Sequence, residues 1–258
     1  MNVKISIITI CYNAENEIER TMLSVVNQSF PDFEYIIVDG NSKDGTLKAI
    51  EGIICQYKSV TFKFVSEPDK GIYDAMNKGV KMASGEWVIM MNAGDMFSDN
   101  HVLENVFKND IPSSLSFLYS DSYCRLADGS KFLGHSDFTK GQLLHQAIIY
   151  RRSLHSEHGL YIVSKPLIIS DYLFFIRIPK EQVKKIDTII CLADYGGASQ
   201  QFRSGEHALC ADYIFRRRSF RSMLINIFLG RIKSILPMRI RLLLKSIVRR
   251  NQYAEVGN

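Results

Sequence analysis

The first hundred residues repeat one pattern, and it leaves few folds open. Short apolar, β-rich runs at residues 4–10, 33–38, 61–66 and 87–91 alternate with helical apolar spacings at residues 14–28, 46–57 and 72–82. Strands joined through helices run parallel and carry helices on the faces of the sheet, so the expected fold is α/β, a Rossmann-like, mostly parallel sheet with flanking helices. Ligands of such sheets sit outside the carboxyl ends of the strands. Those ends carry Thr9, Tyr12 and Asn13, then Asp39, then Glu67, Asp69 and Lys70, then Asn92 and Asp95, so polar groups from four segments converge on one edge.

Beyond Asp95 the pattern loosens. Residues 116–120 read as a strand, and 123–126 with 131–133 read as a hairpin whose turn is Ala127-Asp128-Gly129. A helix is expected from about 170 to 178, with Ser170 as its N-cap. The C-terminal part shows two stripes at helical spacing: Phe220, Met223, Leu224, Ile227 and Phe228, then, past Pro237, Ile240, Leu243, Leu244, Ile247 and Val248. The chain is therefore expected to divide into a body, 1–212, and a basic amphipathic helical tail, 213–258.

Charge separates the two parts. Eleven of the 32 Lys and Arg residues fall between 213 and 250, where there is no acid, leaving 21 bases against 27 acids in the remainder. Such a tail fits a helix pair docked on the body or an interfacial pair on an anionic membrane, where each base near the surface contributes about 1 kcal/mol. Its arginines lack interleaved aromatic residues and no nucleic-acid motif is present, so no nucleic-acid partner is expected. Five scattered cysteines without CxxC spacing suggest neither a disulfide framework nor a zinc site and fit a reducing compartment. No run reads as a signal peptide or is long enough to span a bilayer. GxGxxG before the first helix and GxxxxGK[ST] are both absent, so another device must hold any phosphates.

Five ordered segments narrow the reading: SIITICYNAENEIERTMLSVVNQSF, EYIIVDGNSKDGT, SEPDKGIYDAMNKGVKMASGEWVIMMNAGD, HQAIIYRR and ISDYLFFIR. Over residues 3 to 200 the chain resembles family 2 glycosyltransferases of the GT-A fold, most closely the bacterial branch that builds surface polysaccharides such as O-antigen. The resemblance implies transfer, with inversion and formation of a β-linkage, of a hexose (glucose or galactose) from a UDP-sugar to an N-acetylhexosamine on a polyprenyl diphosphate. It places the enzyme in the cytoplasm, peripheral on the inner face of the cytoplasmic membrane. It also implies roles for individual residues. Thr9, Tyr12, Asn13 and Asp39 line the nucleoside, Asp69 and Lys70 lie by the phosphates, and Asn92 meets donor hydroxyls. His145 and Gln146 lie near the acceptor or the donor phosphates, Asp171 is the base, and 196–199 (GGAS) form a loop near the donor.

Several of these residues carry a plainer reading beside the functional one. Asp39 suits the turn before Gly40, Asp44 suits a cap for the second helix, and an acid at position 171 suits a helix start. Where relatives read Asp-x-Asp-Asp this chain reads Asn92-Ala93-Gly94-Asp95, which leaves Asp95 as the metal ligand. Mg²⁺ or Mn²⁺ carried on substrate phosphates needs only one or two protein carboxylates. His155, Glu157 and His158 lack a further ligand and read as surface residues. Two other functions stay in view: a non-catalytic, membrane-recruited sugar-nucleotide-binding protein, favoured by the missing acids, and a sugar nucleotidyltransferase. The latter needs a glycine-rich, arginine-bearing loop where CYNAENE stands.

Overall fold

The computed structural model describes residues 3–126, 128–164, 168–194 and 202–235. The expected alternation is present as β1 (Ile5–Cys11), α1 (Ile18–Val26), β2 (Phe33–Asp39), α2 (Thr46–Gln56), β3 (Thr61–Ser66), α3 (Ile72–Met82) and β4 (Trp87–Met90). There follow β5 (Met96–Phe97), α4 (Val102–Phe107), β6 (Phe117–Tyr119), β7 (Ser122–Arg125), β8 (Lys131–Gly134) and β9 (Ile148–Arg151). The order continues with α5 (Leu154–His158), α6 (Ser170–Phe175), β10 (Val183–Lys185), β11 (Cys191–Asp194), α7 (Phe202–Ile214) and α8 (Phe220–Ile235).

Seven strands form the main sheet in the order β10-β6-β9-β4-β1-β2-β3. β1 to β4 are mutually parallel where they pair, and β9 runs antiparallel between β4 and β6. β1 and β4 are buried along their whole length and β2 nearly so, which is why ISIITIC, FEYIIVD and WVIM read as continuous apolar runs. Alternate residues serve two cores. Ile5, Ile7, Tyr35, Ile37 and Ile89 pack with Ile18, Met22 and Ile50 of α1 and α2, while Ile8, Ile10, Ile36, Val38 and Val88 pack with Tyr73, Met76 and Val80 of α3. α3 lies so close that a Cβ on Gly79 would stand 2.4 Å from Ile8 Cγ2. A second sheet, β5-β11-β7-β8, includes the expected hairpin, β7 with β8.

Two helix starts differ from the sequence reading. α1 begins at Ile18 and not near 14, because the Ala14 carbonyl takes the amides of Glu17 and Ile18 and the Ala14 amide donates to Thr46 Oγ1, tying the turn to α2. Ser170 is the first residue of α6 and not its cap. Its hydroxyl accepts the Ile162 amide at 2.5 Å, which holds the strap of residues 160–163 against the helix.

The chain divides into Met1–Tyr195 and Gly196–Asn258. The boundary expected after 212 lies inside α7. Asp212 of α7 faces Arg217 and Arg218 at 3.6 and 3.5 Å, and Glu206 of α7 accepts from Arg231 of α8 at 2.8 Å. Three bases of the tail therefore have acidic partners. Met223 of the first stripe is buried, whereas Phe220, Leu224, Ile225, Phe228, Leu229 and Ile232 are exposed. The stripe from 240 to 248 and the segment 196–199 lie outside the described residues.

Candidate active site

At the carboxyl ends of β1 and β2, two loops are laced together. Asn13 takes a left-handed backbone (φ 48°), which asparagine tolerates; its amide donates to Ser42 Oγ and its side-chain oxygen accepts the Lys43 amide, both at 2.8 Å. Asp44 accepts the Thr46 amide at 3.0 Å from one residue before Gly45, the N-cap of α2. Asp39 is fully buried. Its carboxylate accepts from the Ser42 amide (3.0 Å), the Ser66 hydroxyl (2.6 Å) and the Ser42 hydroxyl. Burial pushes this carboxyl up, and the hydroxyls of Ser42 and Ser66 outweigh it, so it stays below the usual carboxylate range. Asp39 thus stands where the sequence placed it, but as the anchor of the loop, with its oxygens already engaged.

Tyr12 and Asp69 present themselves differently. Tyr12 is 62% exposed, and a Cβ on Gly40 would meet Asp69 Oδ2 at 2.6 Å and the Tyr12 ring at 3.2 Å, so both side chains border Gly40. The other Asp69 oxygen accepts the Gly71 amide at 2.8 Å, and Lys70 is exposed, its amide bonded to Asp74. Thr9 does not join them. It faces the α1 side of the sheet, fully buried, with its hydroxyl donating to the Met91 carbonyl at 2.7 Å and paired with Tyr35. A side chain one residue out of phase on a strand points into the opposite layer, and Thr9 lies on the buried phase.

The second half of the site forms past β4, where five predicted residues meet. His145 and Gln146 precede β9; because β9 pairs antiparallel with β4, they arrive beside Asn92 and Asp95. Asn92 Nδ2 lies 2.9 Å from His145 Nε2, and His145 Nδ1 lies 3.4 Å from Asp171 Oδ2 on α6. Asp171 Oδ1 accepts from the Tyr73 hydroxyl at 2.7 Å and from the Tyr172 amide at 2.9 Å. Gln146 Nε2 donates to Asp95 Oδ2 at 2.6 Å. Gly94, with φ 102°, turns the chain between Asn92 and Asp95, and its amide donates to Thr21 Oγ1 of α1.

The electrostatics of this cluster are uneven. Burial raises the Asp95 carboxyl to about 6, against the opposing pull of His145 and Gln146. Burial alone would push His145 down, but Asp171 first and Asp95 after it hold its proton more strongly and leave it above its ordinary value. Asp171 runs the other way: burial raises it, and His145 and Tyr73 together bring it below the ordinary value. One imidazole therefore stands between two carboxyls whose affinities for a proton are driven apart, an arrangement able to pass a proton.

The fit of a divalent cation rests on Asp95 and its surroundings. Two buried amide oxygens, Asn92 Oδ1 and Gln146 Oε1, have no hydrogen-bond partner among the described residues, and the Asp95 carboxylate is under-compensated. Oxygen atoms short of positive charge suit Mg²⁺ or Mn²⁺. Among the described residues no group of three His, Cys, Asp or Glu side chains is placed to hold a metal, so such an ion would take one protein carboxylate, Asp95, and draw its other ligands from phosphate and water.

Three features were not read from the sequence. Tyr73 lay within a quoted segment but gave no chemical signal. Asp194 at the end of β11 binds Arg20 Nη2 at 2.5 Å and Arg125 Nε at 2.8 Å, partners 174 and 69 residues away that no local pattern connects. His155, expected at the surface, is buried: Nε2 pairs with the Tyr150 hydroxyl and Nδ1 with the Gly159 carbonyl, and its ring stacks on Phe174 at 4.5 Å. Burial lowers it to about 4, so it is a neutral core residue that links Tyr150, and through it Tyr161, to the turn before the strap.

Comparison with known proteins bears on the fold and the family resemblance. Residues 6–109 match the family model described as glycosyl transferase family 2. A PGL/p-HBAD biosynthesis glycosyltransferase of Mycobacterium tuberculosis is 33% identical over 160 residues, 60% of this chain and 61% of that protein. A poly-β-1,6-N-acetyl-D-glucosamine synthase of Staphylococcus epidermidis is 33% identical over 109 residues, 41% of this chain and 26% of that one. The chain spans about three fifths of the length of the mycobacterial relative. Among solved structures, S. aureus TarS 1–349 in complex with UDP-GlcNAc superimposes with a TM-score of 0.65 at 19% identity, covering 81% of this chain and 66% of that one. The mannosyltransferase PcManGT of Pyrobaculum calidifontis, in complex with GDP-Man and Mn²⁺, gives a TM-score of 0.67 at 14% identity, covering 97% and 81%. The fold is GT-A-like, with a mostly parallel central sheet and flanking helices.

Proposed function

We propose that this chain is an inverting, metal-assisted glycosyltransferase that moves a hexose from a UDP-sugar onto a sugar carried by a lipid diphosphate, in assembly of an O-antigen-like or related glycan. The observation that carries the proposal is the convergence of Asn92, Asp95, His145, Gln146 and Asp171, from three separated segments, at the carboxyl ends of the parallel strands. The family match over residues 6–109 supports the same reading.

In this reading Tyr12, Asn13 and Asp69 border the nucleoside while Asp39 fixes the loop that carries them. Lys70 and His145 offer positive charge to the diphosphate. Asp95 would hold the divalent cation, which when bound would offset charge on the departing nucleoside diphosphate. Asp171 takes the proton of the acceptor hydroxyl as that oxygen bonds to the anomeric carbon. The bond from that carbon to the diphosphate breaks on the opposite face, and its electron pair leaves with the nucleotide. Asp171 suits this task by its placement: Oδ1 is held by the Tyr73 hydroxyl at 2.7 Å while Oδ2 lies 3.4 Å from His145 Nδ1.

An acceptor with an apolar anchor is supported by two surfaces. Leu160, Ile162 and Val163 are exposed on the strap that Ser170 ties to α6, next to Asp171. On α8, Leu224, Ile225, Phe228, Leu229 and Ile232 are exposed alongside Arg221, a composition suited to an anionic inner-membrane surface. No helix among the described residues is long and apolar enough to cross a membrane.

The test is transfer itself: UDP-sugars in parallel, a short lipid-linked N-acetylhexosamine diphosphate, Mn²⁺ or chelator, and product detection by mass spectrometry. Transfer from one donor, abolished by chelator, is the expected result. Metal-independent transfer would remove Asp95 from its role. UDP binding without turnover across a broad acceptor panel would favour the non-catalytic binding protein.

A further inference from the structure

The two oxygens of Asp171 have unequal surroundings. Oδ1 is engaged twice, by the Tyr73 hydroxyl at 2.7 Å and the Tyr172 amide at 2.9 Å. Oδ2 faces only His145 Nδ1 among the contacts described, at 3.4 Å, longer than the roughly 2.7–3.2 Å of an N–H···O bond. One lobe of the carboxylate is therefore held while the other keeps a lone pair for a substrate.

We infer that Tyr73 is the positioning residue of the base: its hydroxyl locks the Asp171 carboxylate so that Oδ2 is the atom that receives the acceptor's proton. The inference rests on the reading of Asp171 as base and deepens it. Tyr73 has the rigidity the role needs. It is 5% exposed in the first turn of α3, and its ring packs on Tyr161, centroids 5.9 Å apart. Tyr161 is itself fixed on both sides of its backbone, its amide and carbonyl bonded to the Asn77 side chain at 2.9 Å each, and at its hydroxyl by Tyr150.

Placement gives Tyr73 a second consequence. α3 starts directly after Asp69, Lys70 and Gly71, the donor-side segment, whereas Asp171 lies 98 residues further along the chain. The phenol is thus a physical link between the loop that meets the donor and the group that activates the acceptor. The groups that face Asp171 are the imidazole of His145 from the segment before β9, the phenol of Tyr73 from α3 and the Tyr172 amide of its own helix, with Asp95 on the far side of the imidazole. A neutral donor removed from this set leaves every charge in place, so its effect on the carboxyl is separable from a change of net charge.

The experiment is a ¹³C NMR titration of the Asp171 carboxyl in aspartate-labelled, chelator-treated full-length protein, assigned with Asp171→Asn, in wild type, in Tyr73→Phe and with 3-fluorotyrosine placed at position 73. The expected result is a midpoint moved up by Tyr73→Phe and moved down by the fluorinated phenol, a stronger donor. In transfer assays kcat falls about tenfold in Tyr73→Phe, a change of one pKa unit's worth of barrier, with donor KM unchanged, and the acid limb of the pH profile follows the carboxyl. Superimposed titrations in all three proteins would overturn the contact. Shifted titrations with an unchanged kcat would overturn the positioning role. Wild-type turnover in Asp171→Asn would instead remove the base reading, and the titration would still report on the bond.

Discussion

Two buried carboxyls, Glu34 and Asp95, stand at opposite ends of the same parallel sheet and are treated in opposite ways. Glu34, at the amino end of β2, is 1% exposed and accepts from Ser6 Oγ (2.6 Å), the Ser84 amide (2.6 Å) and hydroxyl (2.9 Å), the Gly85 amide (3.3 Å) and Lys63 (2.7 Å). Burial raises its carboxyl, but Lys63, Ser6 and Ser84 more than compensate and bring it down to about 2. Asp95, past the carboxyl end of β4, is 8% exposed, accepts from Gln146, and is raised to about 6. A buried charge surrounded by donors belongs to the architecture. One left short of them is what the proposed metal site requires.

The largest expected effect at the deficient end is on turnover. Asp95→Asn removes the carboxylate while keeping the Gln146 contact, and transfer is expected to fall about a thousandfold, several kcal/mol of transition-state stabilisation; initial rates with Mn²⁺ check it. Asp171→Asn comes next, with a loss of about a hundredfold and UDP affinity close to wild type by calorimetry. At the satisfied end, Glu34→Gln is expected to lower stability by about 3 kcal/mol in urea unfolding while turnover per folded molecule is unchanged. A Glu34→Gln protein that is stable but inactive would dissolve the contrast.

The smallest effect is the sharpest. Asp95 binds a proton more tightly in the folded chain than unfolded, so the folded state carries a penalty that grows as pH rises from about 4 to 6 and is complete above it, on the order of 3 kcal/mol or less. Asp95→Asn is therefore expected to raise the melting temperature in chelator at pH 7.5, with the gain fading below about pH 4. Glu34 has the opposite sign. Its folded pKa is depressed, so its contribution is complete above about 4.5 and is lost as pH falls toward 2. Melting temperatures of Asp95→Asn and Glu34→Gln across this range should diverge from wild type in opposite directions.

The sheet was legible in the sequence because β1, β2 and β4 are buried on both faces and so appear as unbroken apolar runs. β9 was not read as a strand: its four residues, Ile148–Arg151, are too few to declare a period, and only pairing between β4 and β6 defines them. Asn92, Asp95, His145, Gln146 and Asp171 were each named through the family resemblance; that they meet is seen only in the fold. What the pattern did not carry was the direction of side chains. Thr9 and Asp39 occupy strand ends, but their orientation encloses them, and His155 turns into an aromatic core that no local spacing announces. Tyr73 and the Arg20–Asp194–Arg125 cluster depend on contacts across long stretches of chain, which one sequence does not display.

The central claim is that Asp95 is left short of positive charge because it binds the metal of a nucleotide-sugar complex. Calorimetry of UDP with Mn²⁺, compared between wild type and Asp95→Asn and repeated in chelator, tests it most directly. The account predicts metal-dependent binding in wild type that disappears in Asp95→Asn, even though the mutant melts at the higher temperature. Equal UDP affinity in both proteins, with and without metal, would contradict it.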